Sequence, residues 1–275
     1  MTPPSGSATL QLEQALACRT RSAARRILSG AGAASFVAFR IDPERGHPVI
    51  AHGLTTRGDF VVALLDERSS DWGDEPVKVR CDIRREAAEP RVRITSATVH
   101  MLGDIDWMTE EGRTSCLKEG VLPETIVTVA GLPGLRIGTI RVDRVLVHDS
   151  SGATPLSFDE IVDGAPREEP FPQQGDELAA HDVIAATTVP ELHDVCEAVR
   201  GGRLVGRLLA ERPSHQPCVH VRGEVFCVDI DEGGVTLMRV GDEVTDVVYG
   251  AFRGPVRDLA GLRTEIDYLI RCARH

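Results

Sequence analysis

The chain has 275 residues and a formal net charge of -11, which excludes nucleic acid or an anionic membrane surface as a main partner, because both repel a field of that sign. Its seven cysteines are odd in number and never spaced CxxC, so the sequence favours reduced thiols over a disulfide framework or a zinc ribbon. Since no apolar run approaches the roughly 18 residues of a membrane span and the start lacks a signal-peptide core, we expect a cytoplasmic protein.

The first part of the sequence predicts one helix followed by a β-rich domain. Residues 10–29 carry apolar side chains at helical spacing and are followed by the breaker GAG. Residues 35–147 then divide into seven short segments of β character, separated by turn-forming residues. The segments are SFVAFRI, PVIAHGL, DFVVALL, VKVRCDI, RVRITSATVHML, TIVTVAG and LRIGTIRVDRVLVH. Seven strands with short turns predict a barrel or a sandwich, interrupted by one helical insert over residues 108–117.

A change of composition then marks a domain boundary. The stretch DGAPREEPFPQQGDE is rich in proline and acidic residues and has few apolar anchors, which is typical of a linker. We therefore predict an N-terminal helix and barrel in residues 1–165, a linker in residues 166–176 and a smaller α+β domain in residues 177–275. The smaller domain is predicted to contain helices over residues 176–186, 190–199 and 204–211, hairpins over residues 219–252, and a last amphipathic helix with its apolar face from residue 259 to residue 270.

The stretch VDIDEGGVTLM places two aspartates and a glutamate before a glycine pair. An EF-hand loop that began at Asp229 would have Gly233 at its fifth position and Val240 at its twelfth, where oxygen ligands are required, so this is not a calcium loop. The alternation of apolar residues on both sides predicts a hairpin whose turn uses the glycines. We expect the carboxylates to keep this turn solvated.

The sequence shows no motif that identifies catalytic residues. It contains no GxSxG elbow, Walker loop or HExxH helix, so the catalytic residues stay unknown at this point. The segment SHQPCVH brings His215, Cys218 and His220 close together in sequence, but these supply three ligands where a structural zinc site uses four. Ordinary packing or surface roles are favoured for them, and no metal is predicted.

Three stretches resemble HugZ-type haem-utilisation proteins, which are pyridoxamine-phosphate-oxidase-like split β-barrels. They are GHPVIAHGLTTRGDFVVALL, VRCDIRREAAEPRVRITSATVHMLGDIDWM and the terminal VDIDEGGVTLM with VVYGAFRGPVRDLAGLRTEIDYLI. The matching positions of the terminal stretch are Ile230, Asp231, Gly234, Leu237, Phe252 and Pro255. The resemblance implies an α+β chain in which a split β-barrel of the flavin-reductase type forms a homodimer and is followed by a smaller α+β domain. The helix signature HMN-x-DH of the family is absent, because this chain has HDVCEAVRGG and retains at best His193.

The resemblance also implies a cofactor, with haem first and FMN as the alternative. Haem needs an axial ligand, an apolar cleft and cations for its propionates. The candidate axial ligands are His275 and His100, and the candidate propionate partners are Arg57 and Arg80. FMN would need cations and hydroxyl groups around its phosphate, and the candidates are Thr55, Thr56, Arg57, Lys78 and Arg80. Three functions therefore stay open: a haem-binding or haem-degrading protein, a flavin-dependent oxidoreductase, and a non-catalytic interaction module on the same fold.

Overall fold

The computed structural model describes residues 6–65, 75–162, 171–215 and 217–275. The helices of this part are α1 (Gly6–Leu28), α2 (Glu110–Glu119), α3 (Glu124–Val129), α4 (Phe158–Val162), α5 (Glu177–Ala185), α6 (Val189–Arg200) and α7 (Leu259–Ala273). The strands are β1 (Ala33–Val37), β2 (His47–Pro48), β3 (Ala51–Leu54), β4 (Phe60–Leu65), β5 (Val77–Glu86), β6 (Thr95–Trp107), β7 (Leu135–Asp149), β8 (Gly152–Leu156), β9 (Gly206–Pro213), β10 (Val225–Asp231), β11 (Gly234–Val240) and β12 (Val244–Ala251). Among these helices, none is both long and apolar enough to cross a membrane.

The first eight strands form one antiparallel sheet that curls into a half-barrel. Its strand order is β2-β1-β5-β6-β7-β4-β3, and β8 pairs with β7. The short run that contains β2 and β3 connects the two sides of this sheet. Within it, the Val49 amide donates to the Ala34 carbonyl at 3.0 Å, and the Ile50 amide donates to the Ala63 carbonyl at 2.9 Å. The fold is therefore an α+β split β-barrel, as the family resemblance implied.

Period-2 alternation decides which side of the curled sheet is buried. On β5, Val79, Cys81 and Ile83 point into the core, whereas the residues between them face outward. The helix α1 closes this core with its own apolar face, which includes Ile27 and Leu28. Alternating side chains on a half-buried strand give this division of faces, so the same strands also carry a row of outward polar residues.

The second unit is a four-stranded sheet with the order β10-β11-β12-β9, covered by α5, α6 and α7. The buried stripe of α7 consists of Leu262, Ile266 and Leu269, which the helical spacing in the sequence predicted. The hairpin between β10 and β11 is also confirmed, with Asp231 paired to Gly234.

Two segments differ from the sequence prediction. TIVTVAG was expected to be a strand because it is rich in β-branched residues, but it forms α3, which begins after Pro123 and buries Ile126 against the outer side of β3 and β4. Residues 204–211 were expected to be helical, but they contribute β9, which pairs with β12 at the edge of the second sheet. A Cβ on Gly206 would collide with the carbonyl oxygen of Tyr249, so the close pairing of these strands requires glycine there. In both cases tertiary packing outweighs local propensity.

The predicted linker is only partly described. Residues 163–170 lie outside the described residues, and so do residues 1–5 and the Asp-Trp-Gly-Asp separator at residues 71–74. Phe171 is buried in the core of the second sheet, so the end of the predicted linker already belongs to that unit.

Candidate functional site

The acidic hairpin does not have the solvated carboxylates that we expected. Asp229 and Asp231 are both buried, with relative exposures of 8% and 2%. They lie at the end of β10, where α1 packs against the second sheet. The expectation was wrong because the sequence does not show that a helix more than two hundred residues earlier covers this turn.

Two arginines from other elements neutralise Asp229. Nη2 of Arg26, on α1, lies 2.7 Å from Oδ2, and Nη1 of Arg85, on β5, lies 3.0 Å from Oδ1. Arg85 also contacts Glu177 of α5 at 2.8 Å. Burial raises the pKa of Asp229, but the charges of Arg26 and Arg85 outweigh burial and lower this pKa to about 2. This ionic cluster ties the half-barrel to the second sheet and has a structural role.

Asp231 has the opposite electrostatic environment. Its Oδ1 accepts hydrogen bonds from the Gly233 amide at 2.7 Å and from the Tyr249 hydroxyl at 3.1 Å. Burial, together with the nearby charge of Asp229, raises the pKa of Asp231 to about 7. A buried carboxyl with these neighbours stabilises the turn best when it is protonated.

The side of the half-barrel that faces away from the core carries the predicted ligand candidates of the sheet. In the pairing of β5 with β6, Asp82 lies opposite His100 and Arg80 lies opposite Leu102. In the pairing of β6 with β7, His100 lies opposite Leu146 and Thr98 lies opposite His148. We define the outer strand face as Arg80, Asp82 and Arg84 on β5, Thr98, His100 and Leu102 on β6, and Leu146 and His148 on β7. Directly opposed residues share one side of a sheet, so these eight side chains form one continuous surface.

His100 is oriented by a short hydrogen bond on this face. Its Nδ1 lies 2.6 Å from Oδ1 of Asp82, and its side chain is 40% exposed. A carboxylate only accepts hydrogen bonds, so Nδ1 carries the proton, and in the neutral ring Nε2 is the nitrogen with the free lone pair. The ring of His148 stands edge-on to that of His100, with 5.2 Å between the ring centroids. The face thus presents one imidazole with a fixed tautomer and a second imidazole beside it.

Cations and exposed apolar side chains surround this histidine. Arg80 donates from Nε to the same Asp82 at 3.1 Å and is itself exposed. Lys78, two residues earlier on β5, pairs with Asp104 at 2.6 Å, and this hydrogen bond raises the pKa of the lysine. Leu102 is 40% exposed although it is large and apolar. Imidazole, guanidinium and apolar groups therefore meet on one strand surface.

The predicted flavin-phosphate residues do not form one group. Thr55 is buried in the β3–β4 turn, where its hydroxyl accepts from the Asp59 amide at 3.0 Å and from the Arg57 amide at 3.2 Å. Thr56 lies beside it in the turn, and Arg57 pairs with Glu119 of α2 at 2.6 Å. These three residues connect β3 and β4, which lie at one end of the sheet. Arg80 lies on β5, near the other end. Among the candidates in the sheet, only Arg80 and His100 share a described partner, Asp82.

The remaining candidates lie in the second unit. His275 is exposed just beyond the end of α7. His215, Cys218 and His220 are exposed in the segment that follows β9, and the last two residues lie in or beside a turn rather than on a strand. Within the part of the chain that the structure describes, no group of three or more metal-binding side chains forms.

The sequence named His100 and Arg80 as candidates but gave no sign of the residues that contact them. Asp82 and His148 come into contact with His100 only through the register of β5, β6 and β7. The alternation in VKVRCDIRRE already places Arg80, Asp82 and Arg84 on one side of a strand. The sequence therefore shows that these three residues share one side of β5, but it does not show how β5, β6 and β7 pair.

The strand orders of the curled sheet and of the second sheet define the chain as a split β-barrel protein with a second α+β unit. No family model matches the chain, and no curated protein matches it. Among solved structures, it is similar to a haem-binding protein from Mycobacterium smegmatis, with a TM-score of 0.53 and 16% identity, over 93% of this chain and 97% of that chain. A protein of unknown function from Agrobacterium tumefaciens matches with a TM-score of 0.35 and 12% identity, over 91% of this chain and 94% of that chain. The first likeness shows a shared fold that includes both units.

Proposed function

We propose that the protein binds haem on the outer strand face, as a relative of the HugZ-type haem-utilisation proteins. The observation that carries this proposal is the 2.6 Å contact between Asp82 and His100. A histidine whose Nδ1 is held by a carboxylate presents Nε2 to a metal in a fixed orientation and with raised basicity. His100 is therefore our first choice of axial ligand, ahead of His275, which has no orienting partner among the described residues.

The surroundings of His100 fit the other needs of a haem. Arg80 and Arg84 are exposed on the same face and supply planar guanidinium groups suited to the two propionates. Leu102 and Leu146 offer apolar contact for the macrocycle. When bound, the haem would supply iron chemistry, and the chain's own residues would orient it and balance its charge. The described fold shared with a haem-binding protein supports this proposal.

A second copy of the chain would complete the site. The outer strand face is a sheet surface rather than a cleft, and a macrocycle needs cover on both sides to leave water. We therefore propose a homodimer that pairs through this face, and we expect light scattering to give about twice the 29.8 kDa chain mass. We expect Leu102→Asp to shift the particle toward the monomer, and Val244→Asp, at an exposed apolar position of the second sheet, to leave it dimeric. A monomeric wild type at micromolar concentration would contradict this proposal.

FMN ranks second because its phosphate candidates are dispersed. Thr55 uses its hydroxyl within its own turn, Lys78 pairs with Asp104 of β6, and Arg57 pairs with Glu119 of α2. The visible spectrum of the protein as purified separates the alternatives. A Soret band indicates haem, yellow fluorescence indicates flavin, and a featureless spectrum that haemin does not change favours the interaction module.

The central experiment is a haemin titration that compares wild type with single variants. We expect His100→Ala to shift the Soret band and weaken affinity at least about tenfold, and Asp82→Asn to weaken it about 10–100-fold, the range seen for partners that orient metal-bound histidines. His215→Ala removes an exposed histidine outside the face and serves as the matched control. Should His100→Ala and Asp82→Asn keep the wild-type band and affinity while His275→Ala loses them, the terminal histidine would be the ligand.

A further inference from the structure

One margin of the outer strand face carries three hydrogen-bond donors on three adjacent strands. Arg84 on β5 lies opposite Thr98 on β6, and Thr98 lies opposite His148 on β7. Directly opposed residues share one side of a sheet. Because neighbouring strands are about 4.8 Å apart, the backbones of Arg84 and His148 are separated by about 10 Å, with Thr98 between them. We call Arg84, Thr98 and His148 the donor row.

The donors of this row are not used inside the protein. Among the described residues, Arg84 has no ion pair, the Thr98 hydroxyl has no hydrogen-bond partner, and the His148 imidazole makes no hydrogen bond. Arg84 and His148 are exposed and Thr98 is half-buried. The strand register ends the row with Ala33 on one side and Ala153 on the other, both small and exposed. A molecule in solution can therefore reach the three donors.

The carboxylates on either side of Arg84 along β5 already have cations of their own. Asp82 accepts from Nε of Arg80 at 3.1 Å, and Glu86 pairs with Arg93 at 3.4 Å. Each carboxylate thus has its own guanidinium, which leaves the charge of Arg84 unbalanced. This part of the surface is locally positive, although the whole chain carries a net charge of -11.

An oxyanion is the group that these donors fit. A guanidinium presents a planar fork of N–H donors to a carboxylate or a phosphate, and such charge-assisted hydrogen bonds are the strong ones. The Thr98 hydroxyl and an N–H of the His148 imidazole add further donors along the same line. Arg84 would repel a cationic group, and a neutral group would gain no charge-assisted bond.

The opposite margin of the face is less suited to an anion. Its row consists of Arg80, Leu102 and Arg144, so an apolar side chain that is 40% exposed separates the two guanidinium groups. The carboxylates of Asp104 and Asp143 follow this row and meet on one lysine. An amphipathic ligand therefore finds donors for its anionic end at the donor row and apolar contact for the rest at Leu102.

We propose that the donor row is a binding subsite for an oxyanion, which is a carboxylate or a phosphate group. Two sources of this group fit: the propionates of a haem held at His100, which rests on the proposed function, and free phosphate, which does not. With haem, the carboxylate edge of the ring lies toward the donor row and the apolar edge toward Leu102. Of the two arginines beside His100, Arg84 then contacts a propionate, and Arg80 keeps its hydrogen bond to Asp82.

The first experiment measures the subsite without haem. Inorganic phosphate is titrated into the full chain at constant pH and ionic strength while the Cε1–H NMR signals of the histidines are followed. The signal of His148 is the one that His148→Phe removes. We expect this signal to shift saturably at millimolar phosphate and to stay unshifted in Arg84→Gln. Arg212→Gln is the matched control, because Arg212 is exposed on β9 and also has no ion pair among the described residues.

The second experiment compares haemin with its dimethyl ester, which keeps the iron and the ring but has no carboxylates. We expect wild type to bind haemin at least about tenfold more tightly than the ester, the ratio expected for one charge-assisted hydrogen bond. Arg84→Gln should bring the two affinities within about twofold of each other. The Soret position should not change in this variant, because His100 is unaltered.

The outcomes separate the two sources and the two proposals. A phosphate shift together with equal affinities for haemin and its ester would support the subsite with a free oxyanion as its ligand. If haemin did not bind at all, the haem function would fall, and the phosphate titration alone would decide on the subsite. The subsite is wrong if phosphate causes no shift and haemin is not preferred over its ester, or if Arg84→Gln leaves both effects unchanged.

Discussion

Asp231 is a buried carboxyl that the folded chain holds in its protonated form at moderately acidic pH. Its pKa rises to about 7 in the folded protein, while the ordinary value is 3.8. Between these values the unfolded chain has released the proton and the folded chain still binds it. Stability therefore falls as pH rises through this window, and the loss is complete above about pH 7.

Replacing Asp231 with asparagine should remove this pH dependence. The amide is neutral at all pH values and keeps an oxygen that can accept from the Gly233 amide and the Tyr249 hydroxyl. We expect Asp231→Asn to melt several degrees above wild type at pH 8 and close to wild type at pH 4. Differential scanning calorimetry at both pH values measures the difference.

Asp267→Asn is the control for this experiment, because Asp267 is exposed on α7. Its effect on the melting temperature should be small and should not change between pH 4 and pH 8. If Asp231→Asn gave the same gain at both pH values, the raised pKa of Asp231 would not be the cause of that gain.

At the scale of elements, β5 serves two surfaces with one alternating sequence. Its outward residues include Arg80 and Asp82 of the proposed haem face, and its inward series ends with Arg85. Arg85 reaches Asp229 and Glu177, so the last inward residue of the strand holds the second sheet in place. A substitution at an even-numbered position of β5 therefore acts on the outer strand face. A substitution at an odd-numbered position acts on the core or on the contact with the second sheet.

We expect Arg85→Ala to destabilise the protein by about 3–5 kcal/mol, because it removes one partner of a buried ion pair and leaves charge that is not balanced. Arg84→Ala changes the neighbouring residue, which is exposed on the outer strand face, and should cost less than about 1 kcal/mol. Chemical denaturation of both variants measures the two values. Equal losses in the two variants would show that the ionic cluster contributes little to stability.

The elements show what the sequence could and could not supply. Strong alternation, as in β5, β6 and β7, was sufficient to predict strands, and the apolar stripe of α7 was sufficient to predict a helix. TIVTVAG and residues 204–211 were assigned wrongly because burial of Ile126 and the fit of Gly206 against β12 decide their structure. The same limit applies to the site: His100 and Arg80 could be named as candidates, but their link through Asp82 depends on strand register.

At the scale of the whole molecule, we predict that the proline-rich residues 163–177 are the site of first cleavage in limited proteolysis. We expect the two fragments to stay together after cleavage, because α1 contacts the second sheet through Arg26 and Arg85 joins the barrel to Asp229. Trypsin digestion followed by denaturing gels and native size-exclusion chromatography tests both statements. First cleavage within residues 219–252, or separation of the fragments on the native column, would show that the proposed boundary or the described contact is wrong.

The position of α1 also sets an order of events during synthesis on the ribosome. Arg26 is translated early, but its carboxylate partner Asp229 follows 203 residues later. At ordinary elongation rates of about 5–20 residues per second, this interval lasts roughly 10–40 s. During that time the barrel strands can pair, while the guanidinium of Arg26 stays in water because its buried position offers no charge to balance it. The ion pair between α1 and the second sheet is therefore among the last contacts to form, after the apolar face of α1 can already pack on the barrel, and a nascent chain released before residue 229 leaves Arg26 without its carboxylate partner.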